Sequence, residues 1–205
     1  KLMIKRFKFV FLVAIVFISS CVSNSYLEPR PIKIEDSDPY LHKASEISCP
    51  NNINYFYRVS ILQYDQSEQN VSCGYGALIG SEPMVIAVYI YPMWKDNSVE
   101  KPQKQTLLKH HFNSLLQLIE SNESDFVLLN KSEAHLNQEA FNGSGLEAEF
   151  RFNAKFSEES HTINSHFKLF YKDNWFIKYR ISYPADKIEK SKSIIDLFMN
   201  DFKIS

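Results

Sequence analysis

The sequence predicts an α+β fold in which an antiparallel β-sheet is packed by two amphipathic helices. Most segments place apolar residues at every second position, as half-buried strands do. Two segments instead repeat them every third and fourth position, as helices do. The strand-like segments also follow one another through turns rather than alternating with helices, which speaks against a doubly wound nucleotide-binding fold.

Three strands are expected first. Tyr55, Tyr57, Val59 and Ile61 alternate with Phe56, Arg58 and Ser60. After the polar break at residues 65–70, Val71, Cys73, Tyr75, Ala77 and Ile79 share one face, with Gly74 and Gly76 on the other. The turn at residues 80–83 leads into residues 84–91, apolar on both faces and so a central, covered strand. A helix should open after Pro102, with Leu108, His111, Phe112, Leu115 and Ile119 on one stripe. Residues 126–130 read as a short strand, and Asn142-Gly143-Ser144-Gly145 as a turn. Leu146, Ala148, Phe150 and Phe152 then alternate with Glu147, Glu149, Arg151 and Asn153, giving one buried and one wet face. Residues 163–171 and 175–183 form a hairpin across Lys172-Asp173-Asn174, ended by Pro184. A last helix from about Asp186 carries Ile188, Ile194, Ile195, Phe198 and Phe202 on one side.

The N-terminus has another logic. Lys5, Arg6 and Lys8 precede an apolar run over residues 9–18, and Ile18-Ser19-Ser20 leads into Cys21. A basic stretch, a short apolar stretch and small residues at a cut site make a secretion signal. The run is about half of the ~20 residues needed to cross a bilayer as a helix. Ile18-Ser19-Ser20-Cys21 resembles the lipobox of bacterial lipoproteins, in which the cysteine is acylated and becomes the first residue. Valine rather than aspartate follows the cysteine, which the resemblance associates with the outer membrane and a periplasm-facing domain. The expected organisation is a signal peptide over residues 1–20, a polar, proline-bearing tether over 21–49, and one α+β domain over 50–205.

Removing the signal takes Lys+Arg from 23 to 19 against 24 Asp+Glu, so the net charge moves from -1 to -5. A mildly acidic body suits no nucleic-acid partner. Five glycines are too few for phosphate-cradling loops, and no cofactor is expected. Cys49 and Cys73 remain after Cys21. Export into an oxidising space favours a disulfide between them, worth about 3.5 kcal/mol by loop closure. A Cys/His metal site would need two further ligands at suitable spacing.

The strand Trp175-Phe176-Ile177-Lys178-Tyr179-Arg180-Ile181-Ser182-Tyr183-Pro184, followed by an amphipathic helix, resembles the end of PsbP-like domains and of uncharacterised bacterial envelope proteins. The resemblance covers the element order over residues 51–205. It implies an accessory or binding protein rather than an enzyme, and carries over no functional residue. The lipid anchor departs from the photosynthetic members, which speaks against a photosystem role.

Candidate chemistry is sparse. His110 and His111 are adjacent, about 100° apart on a helix, and so ill placed to share one ion. His161 and His166 fall on opposite faces if their strand is regular, with a place for His161 in the preceding turn as the alternative. Glu147 and Glu149 with His166 are the residues a hydrolase would use, yet an alternating exposed face surrounds both carboxylates alike, where acid/base work needs contrast. No Gly-x-Ser-x-Gly elbow occurs. Tyr55, Tyr57, Tyr64, Tyr75, Tyr89 and Tyr91 crowd the first three strands, where they serve as core edge or, if exposed, as a partner surface. The expectation is therefore a non-enzymatic, membrane-anchored lipoprotein binding a protein or envelope component. An envelope hydrolase and a small-ligand carrier with a cleft between sheet and helices are the alternatives.

Overall fold

Alternation along each long strand decides which residues turn inward, and the computed structural model shows what they meet. It describes residues 28–33, 38–93, 101–138, 141–156 and 159–204. The expected secretion signal, Cys21 and the start of the expected tether lie outside the described residues.

The strands are β1 (Arg30–Pro31), β2 (Tyr40–His42), β3 (Ile47–Cys49), β4 (Asn52–Ile53), β5 (Phe56–Gln63), β6 (Val71–Ile79) and β7 (Glu82–Pro92). Helix α1 (Lys101–Asn122) leads to β8 (Ser124–Asn137), β9 (Asn142–Phe156), β10 (Glu159–Lys172) and β11 (Trp175–Pro184). A 3-10 turn (Ala185–Lys187) opens α2 (Ile188–Asp201). Among the described residues the main sheet runs in the order β1-β5-β6-β7-β11-β10-β9-β8, with β4 also on β5 and all pairs antiparallel. Two meanders thus meet where β7 pairs with β11. The expected sheet and both helices are present, with the sheet much the larger part.

Each face carries its own core. On the first face, Met84, Ile86, Val88 and Ile90 of β7 join Ile177, Tyr179 and Ile181 of β11 beneath α2. Phe198 of α2 meets Phe56 at 5.0 Å and Tyr75 at 5.1 Å, both edge to face. On the second face, Leu108, Phe112 and Leu116 of α1 cover Ala148, Phe150, Phe152 and Phe167. Phe112 stacks on Phe167 at 4.8 Å. The other face of β7 (Val85, Ala87, Tyr89, Tyr91) is only half-buried, so this strand is less covered than its composition suggests.

Four further expectations change. The tether does not extend to residue 49. Tyr40, His42, Ile47 and Cys49 are buried in the β2–β3 hairpin, and the Arg58 guanidinium clamps it by donating to the Cys49 and Asp38 carbonyls at 2.6 Å each. Three-residue strands are too short to announce themselves by period. A disulfide joins Cys49 to Cys73 of β6 and fastens the hairpin to the first face. Secondly, β5 shifts register between Arg58 and Ser60. The bulge turns both Phe56 and Ile61 inward and leaves Tyr57 exposed, against simple alternation. Thirdly, β8 spans 14 residues rather than a short segment, because β9 pairs along its length.

Lastly, Gly143 and Gly145 lie inside β9, not in a turn. The bend comes earlier, where Gln138 and Phe141 exchange backbone hydrogen bonds. A Cβ on Gly145 would stand 2.4 Å from the Leu169 carbonyl oxygen and 2.5 Å from the Phe170 ring, so close packing explains that glycine.

Candidate functional site

The tyrosines separate sharply. Tyr75 is fully buried, and burial raises its hydroxyl pKa, as it does for Tyr64 and Tyr89. The Tyr75 hydroxyl donates to the Pro50 carbonyl at 3.0 Å. Tyr91 meets the His111 Nε2 at 2.9 Å. Tyr55 and Tyr57 instead stand 64% and 59% exposed.

The sheet register shows what surrounds them. Tyr57 lies opposite Gly76 of β6, and Leu78, two residues on, lies opposite Pro83 of β7. Residues opposite one another share a sheet face, so Tyr57, Leu78 and Pro83 lie together on the second face, at the β6–β7 turn end. Leu78 is 62% exposed and Pro83 is exposed. Tyr55 immediately precedes β5 at the same end. Rigid aromatic and aliphatic side chains on a strand end lose little conformational freedom on contact, which suits recognition of another surface. Leu78 and Pro83 escaped the sequence reading because the β6–β7 register aligns them with the tyrosines.

The polar ladder has a different character. The Lys168 ammonium donates to Glu147 at 2.5 Å, and Ser132 donates to the same carboxylate at 2.9 Å. Burial raises the Glu147 pKa, but the Lys168 hydrogen bond and charge, with Ser132, outweigh it and hold the carboxyl below its ordinary value. His166 Nε2 lies 2.8 Å from the Tyr183 hydroxyl and 3.9 Å from Glu149. Burial lowers the His166 pKa, against the pull of Glu149. Hydrogen-bond reach for a carboxylate orienting a histidine is about 3.2 Å, and this pair lies beyond it. Arg151 donates to Asn164 at 2.9 Å. Within the ladder, Glu147 is held by Lys168 and Ser132, and Arg151 by Asn164.

The histidines of α1 are also placed. His111 stacks on Phe176 at 4.6 Å, and burial, aided by Lys178 and His110, pushes its pKa down to about 4. His110 is exposed. His161 and His166 are on opposite faces of β10, paired with Ala154 and Glu149 of β9. Among the described residues no group of three or more His, Cys, Asp or Glu side chains could hold a metal ion. His42, missed by sequence reasoning, is buried: its Nδ1 meets the Ser45 hydroxyl at 2.6 Å and its Nε2 the Glu68 carbonyl at 2.9 Å.

No known protein family matches the chain. No curated protein matches it either. Among solved structures, the solution structure of cyanobacterial PsbP (CyanoP) from Synechocystis sp. PCC 6803 is similar, at 13% identity and a TM-score of 0.44. The alignment covers 88% of this chain and 95% of that chain. What the present chain binds has to be read from its own residues.

Proposed function

We propose that this chain is a bacterial lipoprotein, acylated at Cys21, whose non-enzymatic α+β domain faces the periplasm from the outer membrane and binds a protein or envelope component. The anchor is supported by the order of basic, apolar and small residues before Cys21. The observation that carries the binding role is the exposed cluster of Tyr55, Tyr57, Leu78 and Pro83. Exposed aromatic and aliphatic residues gathered at one strand end support a contact surface there.

Two measurements test the two halves of the reading. Metabolic labelling with a fatty-acid analogue should mark the wild-type chain and leave Cys21→Ser unlabelled and released from membranes. A photo-crosslinking residue at position 57, in cells, should capture a defined partner that the same residue at exposed position 189 does not. Equal capture from both positions would remove the patch from consideration, whatever the labelling shows. Turnover of ester, peptide or glycoside substrates by the purified chain, lost on one substitution, would overturn the non-enzymatic reading.

A further inference from the structure

The two edges of the main sheet are unlike. One is closed by β1, two residues ending in a proline, and by the two-residue β4, both on β5. Short strands and proline blunt an edge against pairing. The other edge is β8, 14 residues long and hydrogen-bonded to β9 along one side. Val127, Leu128 and Leu129 there are 52%, 46% and 44% exposed.

β8 is irregular against β9 between Ser124 and Val127 and between Leu128 and Asn130, but from Asn130 to Asn137 its pairing is unbroken. That stretch has the geometry to template another strand. Within it Lys131 and Glu133 are both exposed and, two residues apart, share a face. Lys131 donates to the neutral Asn113 Oδ1 at 2.7 Å and sits 5.7 Å from the Phe112 ring centre, so its charge is not neutralised there. Glu133 has no ion pair among the described residues.

We propose that two copies of this chain join β8 to β8 in an antiparallel, two-fold pairing centred on Ser132. In an isologous contact, residue i meets residue j while j meets i. An axis at Ser132 sets Lys131 opposite Glu133 of the second copy at both ends of the centre, two opposite-charge cross-strand pairs from one register. An axis at Lys131 or Glu133 would set like charges together. Beyond Asn130 the irregularity drops Leu129 from the count, which brings Val127 opposite Leu136 and Leu128 opposite His135 of the second copy. Val127 and Leu128 of the exposed run thereby gain cross-strand neighbours, while Leu129 stands at the irregularity. The Tyr57 patch lies on the other meander, so the pair would present two patches and bind a multivalent partner with avidity. The pairing itself does not depend on the lipid anchor or on that patch.

Sedimentation equilibrium of the full chain in mild detergent tests it. The wild type should dimerise, and Glu133→Lys should weaken association about tenfold, since two attractive pairs become repulsive. Lys131→Glu should do the same. The double variant Lys131→Glu/Glu133→Lys restores opposite charges and should recover the wild-type constant to within about threefold. A wild type that stays monomeric to about 100 µM, singles that dimerise normally, or a double variant as weak as the singles each overturns the proposal. So would a monomeric chain whose β8 edge takes up a strand from another protein.

Discussion

The two faces of the sheet are held by different chemistry. Beneath α2 the contact is made of rings and aliphatic chains: Phe198, Phe202, Phe56 and Tyr75, with the β2–β3 hairpin pinned beside them by the Cys49–Cys73 disulfide. Beneath α1 a similar apolar layer is joined by an ion pair. Arg180 of β11 donates to Glu123, just past the end of α1, at 2.9 Å, with side chains only 12% and 8% exposed. Its guanidinium also lies 4.5 Å from the Phe150 ring centre. Burial pushes the Glu123 carboxyl up while Arg180 pulls it back. Apolar burial is strong but non-directional, whereas a charged N–H donor on a carboxylate favours one position for the end of a helix. One face is secured by how much it buries, and the other also by where one pair sits.

The largest effect should come from removing bulk on the first face. Phe198→Ala should cost about 4 kcal/mol in chemical denaturation, because three neighbouring rings lose their partner. A loss below about 1 kcal/mol would show that α2 is not part of the cooperative core. On the second face, Glu123→Gln should cost about 3 kcal/mol by stranding a buried guanidinium. Replacing both partners, Arg180→Met with Glu123→Leu, should recover most of that stability. If the double variant is no better than the single, the pair does more than cancel its own desolvation.

Gln138 adds a directional hold to the first face as well. Its amide donates to the Met199 and Phe202 carbonyls at 2.8 and 2.7 Å and accepts from the Ile204 N–H at 3.0 Å. It thus satisfies groups that the end of α2 leaves without helical partners. Gln138→Leu should cost about 2 kcal/mol and speed hydrogen exchange at residues 202–204 first. Tyr179→Phe should run the other way. Its buried hydroxyl has no hydrogen-bond partner among the described residues, so the variant should equal the wild type or gain up to about 1 kcal/mol.

The last test is silent at neutral pH. His111 has its pKa lowered from 6.5 to about 4 in the folded chain. Below about pH 6.5 the unfolded chain therefore binds the proton that the folded chain refuses, and stability falls as pH drops from there towards about 4. His111→Phe keeps the stack on Phe176 and should flatten that part of the Tm–pH curve. An unchanged slope would assign the acid sensitivity to His42 and His166, whose pKa values burial also lowers.

The strands of strongest period were legible because burial on one face leaves its mark at every second residue: β9 from Leu146 to Phe152, and the β10–β11 hairpin turning at Asp173 with its positive φ of 53°. The α1 stripe was legible for the same reason at helical spacing, although Leu116 completes it. The β2–β3 hairpin was not, since two three-residue strands bury only alternate side chains and their polar neighbours look like linker. Of the candidate patch, Tyr55 and Tyr57 stood out by type, but the inward and outward sides of β5 depend on a bulge that no local pattern announces, and Tyr55 lies in the turn before it.

Residue order alone therefore determined the strongly periodic elements and their apolar stripes, because period and composition are local properties of a chain. Tertiary pairing decided what lies beside what: β7 against β11, Leu78 beside Tyr57, Gln138 under the end of α2. Those meetings join residues distant along the chain, and their energies depend on registers set only when the whole sheet closes.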